Sequence, residues 1–117
     1  MAERHSRLTP EGRAWWFTER LWRAAEGLPV RDVAIADIAE FEQDCWFGDA
    51  YAPTCRAVAE HARRIQEADL SRPIILASDG SLMDGGHRIA KAWLMGRQTI
   101  AAIRFETDPP PDAVTPA

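Results

Sequence analysis

Five consecutive residues, Asp84-Gly85-Gly86-His87-Arg88, carry most of the chemistry this chain can offer. They lie where an apolar run, Leu82-Met83, gives way to a helical pattern through Ile89, Ala92 and Trp93 that stops at Gly96. A helix start presents N–H groups without intrahelical acceptors, and the helix dipole adds positive potential there, so such a place can bind an anion. Glycine lets a phosphate oxygen approach backbone that a Cβ would screen, and it permits positive φ. Arg88 in the first turn can offer a forked, charge-assisted hydrogen bond. His87 adds a donor whose charge depends on pH. Asp84 is expected to cap the helix through the N–H groups of Gly86 or His87; alternatively it holds a magnesium ion beside a nucleotide. The competing reading is a tight turn with a solvent-facing arginine. Neither the Walker A pattern nor the dinucleotide-binding fingerprint is present.

The elements that must position this turn follow from periodicity. Thr9 reads as a cap, Pro10 and Glu11 as a first helical turn and Gly27 as a stop, with Ala14, Phe17, Leu21 and Ala24 or Ala25 at helical spacing. Trp15, Trp16 and Trp22 on this helix either line a groove or dock it onto the rest of the domain. Val30–Ile35 alternates like a strand, 36–39 reads as a short helical turn, and 42–53 is a long loop carrying Trp46, Phe47 and Tyr51. A helix from a Thr54 cap to about Asp69 is expected to bury Cys55, Val58, Ala62 and Ile65, with His61 at the border of that stripe as a surface histidine. Ser71-Arg72-Pro73 breaks it. Ile74–Ala77 is a short apolar strand, Asp79-Gly80 a hairpin turn and Leu82-Met83 the returning strand. Thr99–Phe105 is the last strand. The proline-rich tail from Asp108 is expected to be extended or mobile. The sum is an α+β domain: a mixed sheet of about four short strands packed with helices (29–106), an N-terminal Trp-rich helix (1–28) and a tail (107–117).

The 117 residues carry a formal charge of −4, and 46% are hydrophobic, an ordinary globular balance. Residues 1–71 carry −4, residues 72–105 carry +3 through Arg72, Arg88, Lys91, Arg97 and Arg104, and the last twelve carry −3. The only basic segment is the one holding the glycine turn, so Arg72 and Lys91 are candidates to support it. The acidic total disfavours a freestanding DNA-binding protein. Two cysteines, Cys45 and Cys55, make no disulfide framework, and with His61 they complete no zinc set. The absence of an apolar leader or a spanning run points to the cytoplasm.

The ordered series Arg72-Pro73-Ile74-Ile75-Leu76, Asp79-Gly80, Asp84-Gly85-Gly86-His87-Arg88, Ala92, Gly96 and Ile100–Ile103 resembles the ParB/sulfiredoxin superfamily over residues 30–105. The resemblance implies that Gly85, Gly86, His87 and Arg88 cradle the phosphates of a nucleoside triphosphate, CTP as in ParB or ATP as in sulfiredoxin. It further implies that Arg72 occupies a second nucleotide-facing segment. The expected mechanism is electrostatic, with a magnesium ion neutralising the phosphate charge that the amides and Arg88 leave. Gly86 stands where sulfiredoxins carry their reactive cysteine, which disfavours sulfinic-acid reduction. No helix-turn-helix segment follows the last strand, so sequence-specific DNA binding is not implied. The expectation is a nucleotide-binding module, with slow hydrolysis as an extension. The alternatives are a protein-interaction module or homodimer using the Trp-rich helix and the Trp46-Phe47 loop, and, third, a DNA-associated or nuclease-like protein.

Overall fold

A computed structural model describes residues 3–117. It is a small α+β domain built from two sheets and three helices. Strands β1 (Arg4–Thr9) and β2 (Gly12–Phe17) form a hairpin and lead into α1 (Thr18–Ala25). Strand β3 (Arg31–Ala34) is followed by two 3-10 turns, Ile35–Asp37 and Ala39–Glu42. After the loop comes α2 (Cys55–Glu67), then β4 (Ile74–Leu76), β5 (Leu82–Asp84), α3 (Gly86–Leu94), β6 (Thr99–Arg104) and β7 (Ala113–Thr115).

The four-stranded sheet has the order β3-β6-β4-β5 and is mixed, since β4 runs parallel to β6 while the other pairs are antiparallel. Its central strand β4 is buried on both faces, which is why Ile74-Ile75-Leu76 has no polar alternation. Ile75, Met83 and Ile103 pack on one side with Trp16, Leu21, Ala25 and Phe105. Ile74, Leu76, Leu82 and Ile100 pack on the other with Ile35, Ile38, Ile89 and Ala92. The N-terminal segment therefore completes a shared core, with hairpin and α1 on one face and α3 with the 3-10 turns on the other.

Several expected elements stand. The hairpin at Asp79-Gly80 closes with Gly80 N–H donating to Ala77 O (2.9 Å) and Ala77 N–H to Ser81 O (2.8 Å). Thr54 caps α2, its hydroxyl accepting from Ala57 N–H (3.1 Å).

Three expectations are corrected. The first helix starts at Thr18, not at Pro10, because Pro10-Glu11 is the turn of a hairpin whose register pairs Thr9 with Gly12. Thr9 Oγ1 donates to Gly12 O (2.8 Å), so its hydroxyl serves the turn instead of a cap. Ala14 and Trp16 are buried with period two, a strand period. The tail from Asp108, expected to be extended or mobile, is extended but tied down: β7 pairs with β2, and Trp16 Nε1 donates to Pro109 O (2.8 Å). Third, Cys55, Val58 and Ala62 on α2 are exposed; of the expected stripe only Ile65 turns inward, and Ala57, His61 and the C-cap residue Ala68 complete that half-buried face.

Candidate functional site

The turn from β5 into α3 opens on a cleft of about 680 Å³. Asp84, Gly85, Gly86, His87 and Arg88 line it, and so does Arg72, remote from them in sequence. Gly85 enters α3 with φ +128°, where a Cβ would lie 2.8 Å from the Ile74 Cβ, so the turn requires glycine. Gly85 is the N-cap residue and has no side chain to cap with, and among the described residues no side chain caps α3. The N–H groups of Gly86, His87 and Arg88 thus lack intrahelical acceptors and stand at the cleft.

Asp84 does not cap the helix. Its Oδ2 accepts from Trp22 Nε1 (2.9 Å) and from an Arg88 terminal nitrogen (3.0 Å). The pair is mostly enclosed, with side-chain exposures of 14% for Arg88 and 21% for Asp84, so Arg88 is not the solvent-facing arginine of the competing reading. Arg88 Nε is buried with no partner among the described residues, a donor left without an acceptor. The Arg72 guanidinium lies over the Trp22 ring, 4.4 Å from its centroid, and that of Arg88 lies over it at 5.6 Å, so one indole organises both cations. Lys91 lies elsewhere: its ammonium donates to Gln66 O (2.8 Å) and Ala68 O (2.7 Å), closing the C-terminal end of α2. Its contribution is to hold α2 against α3.

The residue that sequence reasoning placed on the surface is the informative one. His61 Nδ1 meets His87 Nε2 at 2.8 Å, and Trp46 stacks on both rings at 4.7 and 4.6 Å. Burial, then the Arg64 charge and His61, hold His87 down to about 4; burial and Arg64 lower His61 as well. Both imidazoles are neutral at pH 7. The loop delivering Trp46 is shaped by Asp44, whose carboxylate accepts from the N–H groups of Trp46, Phe47 and Gly48 at 2.7–3.0 Å. These three bonds hold the Asp44 carboxyl below its ordinary range. Cys45, on the same loop, has its thiol pushed up by burial and by Glu40 and Asp44, which makes it a poor nucleophile.

Several carboxylates at the cleft are engaged by other groups. Glu3 pairs with Arg64 (2.6 Å), Asp84 with Arg88, and Glu40 Oε1 accepts from Leu82 N–H (3.1 Å). Arg72 has no carboxylate partner among the described residues. Asp84, already shared by two donors, does not fit a dedicated magnesium site, and no three of the described His, Cys, Asp and Glu side chains converge as a metal site.

No protein-family model matches this chain, and no curated protein or solved structure matches it. No described helix is long and apolar enough to cross a membrane. The assignment of a function therefore rests on the cleft itself.

Proposed function

We propose that the chain is a ParB/sulfiredoxin-like module that binds a nucleoside triphosphate, with phosphates held at the start of α3. One observation carries this reading: the uncapped start of α3, the Arg88 side chain and the Arg72 guanidinium, which has no carboxylate partner among the described residues, line one cleft. Backbone amides, a helix dipole and two guanidinium groups at one place suit a polyanion better than a single carboxylate. Trp22 keeps Arg72 and Arg88 on one ring, so little side-chain ordering is left for the ligand to impose.

Binding is favoured over turnover. The imidazole at the turn is held at about 4, so it is a weak base, and its Nε2 is engaged by His61. Magnesium would accompany the triphosphate as its counterion, since Asp84 is committed to Trp22 and Arg88.

The second reading, a protein-interaction module, is favoured by a different surface from the one the sequence suggested. Trp93, Leu94 and Met95 at the end of α3 are 57%, 67% and 58% exposed, whereas Trp16 is buried and Trp46 is stacked on histidines. DNA association finds less support, because Lys91 and Arg104 spend their donors on backbone carbonyls.

The test is a thermal-shift panel of ATP, GTP, CTP, UTP and inorganic triphosphate with magnesium, on wild type and Arg72→Ala. A ligand at about 100 times its dissociation constant stabilises the fold by about 2.7 kcal/mol, several degrees for a domain this size. The reading expects such a shift, reduced in Arg72→Ala. No shift with any triphosphate overturns it and leaves the α3 end surface as the place to look for a partner.

A further inference from the structure

We infer that the face of the His61–His87 pair covered by Trp46 is the base-stacking subsite of the cleft, that it takes a purine, and that Trp46 is a built-in placeholder which the nucleotide displaces. This rests on the nucleotide reading above and names the ligand class.

The three rings make an unusual platform. The imidazoles are 9° from parallel, with centroids 5.1 Å apart, and are joined at their edges by the Nδ1–Nε2 contact. The Trp46 plane lies within 12° of His61 and 8° of His87, so one bicyclic ring spans both. Indole and purine share a fused five- and six-membered frame; a pyrimidine, with one ring, would cover less of the pair. Stacking of an aromatic ring on a base is worth about 1–3 kcal/mol. Because both imidazoles are neutral, an uncharged base meets no isolated charge there.

Trp46 is held in a way that suits displacement. Trp15, Trp16 and Trp22 each donate their indole N–H to an oxygen, while that of Trp46 donates to no described residue. The indole ring is therefore held by aromatic contacts with His61, His87 and Phe47 and by no hydrogen bond of its own among the described residues, and a ring of similar size can exchange for it on the histidines. Behind the loop lies an apolar cavity of about 270 Å³ lined by Phe41, Phe47, Leu82, Ile89 and Ala90, which can receive a displaced indole. The subsite also adjoins the phosphate end, since a Cβ on Gly86 would stand 3.3 Å from Trp46 Nε1. One nucleotide can reach both.

The experiment follows the Trp46 indole N–H cross-peak by NMR, assigned by its loss in Trp46→Phe, while ATP, CTP or inorganic triphosphate is added. ATP is expected to move it and inorganic triphosphate to leave it in place, with CTP binding at least fivefold more weakly than ATP. Trp46→Ala should bind ATP about tenfold tighter with inorganic triphosphate unchanged. His61→Ala should weaken ATP about fivefold with inorganic triphosphate again unchanged, which keeps the test decisive if Trp46→Ala does not fold. ATP binding with the Trp46 peak unmoved, or CTP binding as tightly as ATP, overturns the subsite while leaving the phosphate cradle standing. Failure of every ligand to bind overturns both.

Discussion

His61 Nδ1 lies 2.8 Å from His87 Nε2, so the side chains of α2 and α3 meet directly beneath the Trp46 ring. That contact brings the 43–47 loop over the start of α3, and the cleft beside it is lined as well by β1, by Trp22 of α1 and by Arg72. It also gives the protein a pH signature.

His87 is held at about 4 in the folded protein against an ordinary 6.5. Above pH 6.5 neither state takes up the proton, and stability is fully present. Between 6.5 and 4 the unfolded chain binds a proton that the folded one refuses, so stability falls as pH falls and levels off for this group below 4. His61 and His5 are shifted the same way, each chiefly by burial. Urea midpoints across this window should fall more steeply for wild type than for His87→Gln. Parallel curves would show that His87 is not held neutral.

Gly85→Ala should be strongly destabilising. Its φ of +128° suits glycine, and the added Cβ would meet the Ile74 side chain in the buried core. The combined backbone and packing cost is about 2–4 kcal/mol. Chemical denaturation of the variant checks this, and a loss under about 0.5 kcal/mol would mean that the turn can re-form another way.

The tail contributes to the N-terminal sheet through Asp112. Its Oδ2 accepts from Phe17 N–H at the entry of α1 (2.7 Å), and its Oδ1 accepts from Arg20 (3.2 Å). Asp112→Ala should cost about 1–2 kcal/mol by leaving that N–H without its acceptor. A neutral result in urea unfolding would mean that the Asp112 carboxylate does not hold the entry of α1.

The Asp84–Arg88 pair should behave asymmetrically. Arg88→Ala removes the partner of a largely enclosed carboxylate, while Asp84→Asn keeps an acceptor for Trp22 and Arg88. Arg88→Ala should therefore lower the melting temperature more than Asp84→Asn. The reverse order in calorimetry would show that the pair is not what holds the turn.

The local signals in the sequence were strong where local chemistry decides. Thr54 capped its helix, Asp79-Gly80 made its turn, and the double glycine began α3, each through bonds within a few residues. Two misplaced features depended on distant partners. Pro10-Glu11 suits either a helix start or a hairpin, and β7, about a hundred residues on, pairs with β2 on the strand side of that choice. On α2 three of the six apolar positions are alanine, a weak guide to which face turns inward. Aromatic contact with Trp46 and the bond to His87 turn His61 in, and neither partner is close in sequence. The turn residues and Arg72 were legible as candidates. Trp22, Trp46, His61 and Arg64 were not legible as their neighbours.

The most direct measurement is an amide NMR titration with a nucleoside triphosphate and magnesium. The phosphate cradle predicts that the N–H groups of Gly86, His87 and Arg88 move first and furthest, accompanied by the Arg88 side chain. Shifts confined to Trp93, Leu94 and Met95, or none at millimolar nucleotide, would contradict it.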